Sequence, residues 1–459
     1  MHKPSLQSRA GFALATLALA LSSAHAANLF SQPDENFSGR VFVSSGAALP
    51  GQEATVSGMG FKPGQQINLR KDGTLLLEKP IVADEKGAFQ AKLTVPADAV
   101  PATHAVVLEA VNPPAASIVN FKVSPDVPLS GADKFSIHSQ KLTNGLYQSA
   151  YSNKSDRLFV TAAVGRPPVK SSELLKVNPS TLAIEARVTP PVDESRNDGH
   201  LVAVYGVAVD DKHGNVWVTN TRQGTVTVYK QADLALVKQL EKNSAVHARD
   251  VVIDESLNKA FVSTPGTAQV VVFDTAKNAP HGTIELKSKQ RGGTISPMSL
   301  AVDPAGHKVY VVGASTNEIF VIDGKTDSVE KVLPIEGLRG GSGIAVDAAK
   351  QRIFLAAQGS DVVIVADLND GKVLARTPVG AGALNVQFDP VNRLAYSSNR
   401  AAGTFTVLDE NGKIIANLEG GSLPNHVSVD GKGNAYAINK ARGADDATGD
   451  RITRLTPKK

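Results

Sequence analysis

Gly343-Ile344-Ala345-Val346-Asp347 is a short apolar run that closes on an aspartate, and it has sister copies along the chain. The pattern returns as Gly206-Val207-Ala208-Val209-Asp210, Asp250-Val251-Val252-Ile253-Asp254, Ser299-Leu300-Ala301-Val302-Asp303, Asn385-Val386-Gln387-Phe388-Asp389 and His426-Val427-Ser428-Val429-Asp430. A weaker copy, Gln148-Ser149-Ala150-Tyr151-Ser152-Asn153, precedes them all. Each is followed by a turn, a second strand-like run, a polar loop and a third run. Copies recur roughly every 40 to 50 residues, with a wider first gap, a period of repeat architectures. Val, Ile, Thr and Phe dominate the apolar runs, which favours strands over helical repeats. One four-stranded sheet cannot bury both of its faces alone, so seven copies predict a seven-bladed β-propeller over residues 134–459. The last copy supplies only three strands, ending at Arg451-Ile452-Thr453-Arg454-Leu455. Phe135-Ser136-Ile137-His138-Ser139, ahead of the first copy, is the expected fourth strand that closes the ring and covers its edge.

Upstream, residues 37–124 hold seven short strand-like runs divided by Gly, Pro, Asp or Asn, the spacing of an antiparallel sandwich. Residues 125–133 carry Pro125, Pro128 and Gly131 and read as a linker with some freedom. Residues 1–26 have the order of a secretory signal peptide: Lys3 and Arg9, an uncharged Ala- and Leu-rich run, then Ala24-His25-Ala26. That apolar run is too short to span a bilayer. The expected location is the periplasm of a Gram-negative cell, with full secretion as the alternative. The chain has no cysteine, which excludes disulfides, thiolate chemistry and a lipid anchor on cysteine. Its formal charge of +4 falls by two with the loss of Lys3 and Arg9, and a near-neutral chain does not by itself point to nucleic acid.

Val216-Trp217-Val218-Thr219-Asn220 and Val309-Tyr310-Val311-Val312 resemble the signature strand of YVTN-type β-propellers. The run from Ala395-Tyr396-Ser397-Ser398-Asn399 to Val407-Leu408-Asp409, and Leu423-Pro424-Asn425-His426, are similar to periplasmic YncE-like proteins. Phe261-Val262-Ser263-Thr264 and Phe354-Leu355-Ala356-Ala357 depart from the signature. The resemblance implies a signal peptide, a seven-bladed ring and no assigned catalytic machinery; single-stranded DNA binding and a link to iron-limited physiology have been proposed for that family. Gly58-Met59-Gly60-Phe61-Lys62-Pro63-Gly64 and the segment around Asp84 and Gly87 resemble Ig-like modules of bacterial envelope proteins. The expected fold is thus all-β, an N-terminal Ig-like β-sandwich followed by the propeller.

In a propeller the loop entering each innermost strand and the loop joining the second and third strands open on one face. The first kind offers Tyr205, Arg249, Met298, Ser342, Asn385, Asn425 and His426. The second offers Asn220, Arg222, Asn399, Arg400, Asn439, Lys440 and Arg442. The expected ligand-binding set is Tyr205, Arg222, Arg249, Asn385, Arg400, Asn425, His426 and Lys440, where guanidinium groups would hold an anion and Tyr205 or His426 would stack on a ring. The same residues also read as solvated loops around a water-filled channel. Two oxygen-rich loops, Asp193–His200 and Asp445–Asp450, lack the spacing of a calcium loop. His200, His247 and His426 share no metal-binding spacing. Gly324-Lys325-Thr326 ends like a P-loop, but Ile319 stands where its first glycine belongs. The expectation is a non-catalytic, monomeric binding or scaffold protein without cofactor or metal. Its partner would be a ligand at the loop face, an envelope protein or single-stranded DNA. The alternative is a metal-dependent hydrolase or lactonase-like propeller enzyme, which the scarcity of channel carboxylates disfavours.

Overall fold

The computed structural model describes residues 32–44 and 46–458, so the candidate signal peptide lies outside the described residues. From Phe135 onward the chain forms seven four-stranded antiparallel sheets. Their first strands are Leu146–Ser152, Val207–Asp210, Val251–Asp254, Pro297–Asp303, Gly341–Asp347, Ala383–Asp389 and Pro424–Val429. These are the seven copies read in the sequence. Each first strand touches its two neighbours, and Pro424–Val429 touches Leu146–Ser152, so the circuit closes. That arrangement fits a β-propeller.

The apolar residues do the closing. Each pair of adjacent sheets shares a buried cluster: Phe159, Val204, Val216 and Tyr229 join the first sheet to the second, and Phe354, Val363, Val386 and Phe388 the fifth to the sixth. The seventh meets the first through Leu146, Val160, Ile438 and Ile452, with the Tyr151 and Tyr436 rings stacked 6.5 Å apart. Burying one such side chain contributes about 1.5–3 kcal/mol, and every sheet has both faces covered this way. Trp217, fully buried against Phe273, is a packing residue, as its mid-strand position suggests.

Most of the closing aspartates have a local cause. Asp254 Oδ1 accepts the Ser256 and Leu257 amides, Asp389 Oδ1 the Val391 amide, and Asp430 Oδ1 those of Lys432 and Asn434. A carboxylate that mimics a turn in this way fixes the hairpin into the second strand. The final sheet closes as the sequence indicates: Phe135–Lys141 pairs antiparallel with Arg451–Pro457 as its fourth strand.

The N-terminal unit has two antiparallel sheets. One holds Arg40–Val43, Glu53–Met59 and Phe89–Thr94; the other is built on Gln66–Lys71, Ala102–Val111 and Ala115–Val123. They share a core that includes Val56, Ile67, Leu69, Phe89, Leu93 and Leu108. The linker is tied down: Ser130 and Asn417 exchange backbone hydrogen bonds, and Asn417 Nδ2 donates to the Val127 carbonyl. The freedom suggested by its prolines is offset by these contacts. No helix among the described residues is long and apolar enough to cross a membrane.

Candidate functional site

The residue four places before each closing aspartate, or before Ser152 in the first copy, and the residue ahead of it fall where the first strands converge. Across the seven copies the first position reads Gln148, Gly206, Asp250, Ser299, Gly343, Asn385 and His426. Several of these side chains latch one sheet to the next. Gln148 Oε1 accepts the Val207 amide at 3.1 Å, Asp250 Oδ2 the Leu300 amide at 3.0 Å, and Asn385 Oδ1 the Val427 amide at 3.0 Å. At Gly343 a Cβ would lie 2.7 Å from the Val386 nitrogen, so the close approach of neighbouring strands there requires glycine.

A cavity of about 220 Å³ opens among these positions, lined by Tyr147, Gln148, Arg249, Ser299, Gln358, Leu384, Asn385, Arg400, Asn425 and His426. Arg249, Asn385, Arg400, Asn425 and His426 were expected from sequence. Tyr205, Arg222 and Lys440 stand behind or beside the lining. The Tyr205 ring packs edge-on against Tyr147 with centroids 5.2 Å apart, and the Lys440 ammonium lies 6.0 Å from the Tyr147 ring centre. Arg222 is exposed at the rim, near enough to Tyr205 to oppose the upward shift that burial gives its phenol.

The expected residues do different work. Asn425 is spent at both ends, accepting from Arg400 Nη1 and donating to the Tyr147 carbonyl, so it positions Arg400. Lys440 Nζ donates to the Ala163 carbonyl at 2.7 Å. Burial lowers the Lys440 pKa, with Arg400 adding to the effect, and burial lowers that of Arg400 as well. His426 Nδ1 faces the Ser149 amide at 3.4 Å. Burial first, and Arg249 second, push its pKa down to about 3, so the ring is neutral at physiological pH. Arg249 Nη1, like the Tyr205 hydroxyl, is closed off from solvent and has no hydrogen-bond partner among the described residues. The adjacent Asp250 is fully engaged with the Leu300 and Val251 amides, and burial raises its pKa.

Three loop residues offered to this face by the sequence are structural. Asn220, Asn399 and Asn439 are buried, and their amides bond to backbone carbonyls or to the Thr404 and Thr406 hydroxyls. Tyr147, Gln148, Ser299 and Gln358 escaped the sequence reading as site residues. Aligning the copies would have found them: Gln148 and Ser299 share the register of Asn385, and Gln358 follows its second strand as Arg400 does. His200 is buried elsewhere, accepting the Val169 amide on Nδ1. Among the described residues no group of three or more His, Asp or Glu converges as a metal site. Asp446, in one oxygen-rich loop, instead takes the Arg442 and Thr448 amides.

No family model matches the chain. The chain is similar to YncE. It is 25% identical over 303 residues to the uncharacterised protein YncE of Salmonella typhimurium, covering 63% of this chain and 81% of that protein. With the uncharacterised YncE of Escherichia coli K12 it is 27% identical over 258 residues, covering 54% of this chain and 68% of the relative.

Proposed function

We propose that this is an exported, non-catalytic binding protein, a seven-bladed β-propeller carrying an N-terminal Ig-like sandwich, whose ligand enters the mouth of the central channel. The observation that carries the reading is the convergence, from several sheets, of polar side chains that are not all consumed by the fold. Arg249 Nη1 has no hydrogen-bond partner among the described residues, whereas neighbours such as Gln148 and Asp250 latch the sheets. Small-ligand sites are concave and use a few placed polar groups. The cavity is small for an extended polymer, and its one aromatic pair is packed edge-on, which leaves little platform for stacked bases. A folded small molecule is therefore favoured over single-stranded DNA.

The test is a thermal-shift screen of the full chain with small molecules of varied charge, run beside fluorescence polarisation with a labelled single-stranded oligonucleotide. A small-molecule shift that disappears in His426→Phe, which fills the cavity, supports the reading. Oligonucleotide binding that persists at physiological salt, with no small-molecule shift, would transfer the function to nucleic acid.

A further inference from the structure

We infer that the channel mouth is built for a compact, multiply charged oxyanion of the phosphate class, held between Arg249 and Arg400. This deepens the proposed function and rests on the channel mouth being the ligand site.

The inference follows from which hydrogen-bonding groups remain once the fold's own needs are met. Gln148 and Asp250 accept backbone amides, and Asn425 is spent at both ends. What is left is rich in donors, beside the Ser299, Gln358 and Tyr147 side chains, which can donate or accept. The Arg249 guanidinium includes a buried nitrogen with no partner. Arg400 gives only one of its five N–H groups to Asn425. Asn385 uses its carbonyl on Val427, leaving its amide nitrogen toward the cavity it lines. His426 accepts the Ser149 amide on Nδ1, so the neutral ring carries its proton on Nε2 and that nitrogen donates.

No free carboxylate stands among the lining residues to balance the two guanidinium groups. Asp250, just behind Arg249, has both oxygens directed to backbone amides. The closed-off Arg249 Nη1, with no acceptor among the described residues, costs about 1–3 kcal/mol until one is supplied. Two guanidinium groups with no carboxylate in the lining therefore select a ligand that carries negative charge and acceptors. Donors from four separate residues exceed what one planar carboxylate takes up in a single plane, whereas a tetrahedral phosphate presents acceptors in several directions. The cavity, about 220 Å³, suits phosphate or a small phosphomonoester. A free phosphate and the phosphate end of a larger molecule share this chemistry.

The experiment is calorimetric titration of the full chain with inorganic phosphate at pH 7.5 in low-chloride buffer, repeated with methyl phosphate and with R249Q and R400Q. The expected result is one saturable site weakened at least ten-fold in each variant, with thermal unfolding of R249Q no lower than that of the parent. Tighter methyl phosphate binding assigns the site to a phosphomonoester, and tighter phosphate binding to the free ion; either supports the inference. Phosphate binding that R249Q leaves unchanged would overturn it. So would an absence of phosphate binding while neutral or cationic compounds stabilise the parent but not His426→Phe; in that case the channel mouth stands as the site and only the ligand class fails. No response to a compound of any charge overturns both.

Discussion

The ammonium of Lys122, near the end of the last strand of the N-terminal unit, lies 2.8 Å from Asp361 Oδ1 in a loop of the fifth sheet. The same carboxylate oxygen accepts the Gly382 amide at 2.7 Å, and the same ammonium donates to the carbonyl of Gln358, which lines the channel mouth. One cation thus joins the N-terminal unit to a loop that lines the candidate site. A cleft of about 320 Å³ beside this contact is shared by both units.

Lys122→Ala should loosen that contact. Asp361 is almost wholly buried, so removing its cation leaves a charge only partly satisfied by the Gly382 amide. Lys122 keeps some exposure, which places the expected cost at the lower end for such pairs, about 1–3 kcal/mol. Subtilisin digestion and denaturant unfolding measure it. Faster cleavage within residues 125–133 and a lower unfolding midpoint are expected; an unchanged digestion pattern would mean that contacts such as those of Ser130 and Val127 with Asn417 hold the units together without Lys122.

Ring closure gives a second test at Asp450. Its Oδ1 accepts the amides of Gly145, Leu146 and Ala441 and so ties the last sheet to the first. Asp450→Ala leaves these donors without an acceptor and should cost about 2–4 kcal/mol. Asp445→Ala, at an exposed position in the same loop, should stay within about 0.5 kcal/mol. Equal melting temperatures for the two variants would contradict this role.

The ring was legible because its repeat is simple: an apolar run, an aspartate that caps the turn, and a recurring spacing. The clasp of Phe135–Lys141 onto the last sheet followed from counting strands. The candidate site was legible as a set of positions more than as roles. Arg249, Arg400 and His426 stand where the repeat register puts them, and the sequence could place them on one face. It could not tell that Asn425 would be consumed in aiming Arg400, or that Asn399 would turn inward to Thr404 and Thr406. Those outcomes depend on contacts between sheets, or on which way an amide turns at a strand end. Single-copy patterns do not carry that information. The hold of Lys122 on Asp361 spans more than two hundred residues and has no local signal.

His426 predicts a pH dependence of stability with a definite sign. The unfolded imidazole takes up a proton near pH 6.5, the folded one only near pH 3. Above pH 6.5 neither state is protonated and the contribution is complete. Between those values the unfolded state holds the extra proton, so stability falls as pH is lowered, by about 1.4 kcal/mol per pH unit for one full proton. His426→Gln removes this group and should flatten the curve between pH 6 and pH 4, as followed by urea unfolding. Parallel curves for parent and variant would show that the folded ring titrates normally.

Arg249→Met separates stability from binding. If Arg249 served the fold, its loss would lower the melting temperature. Its guanidinium, however, has a closed-off nitrogen with no partner among the described residues, and an apolar side chain of similar length removes the cost of leaving that donor unsatisfied. The variant should therefore melt no lower than the parent, and about 1 kcal/mol more stable is the expected size. Added phosphate reverses the order. Ligand bound only by the folded parent stabilises it by RT ln(1 + [L]/Kd), about 2.7 kcal/mol at one hundred times Kd, while the variant gains little. Melting curves with and without phosphate test both halves together. A variant that melts well below the parent in phosphate-free buffer would make Arg249 a structural residue and leave its unpartnered nitrogen without a functional explanation.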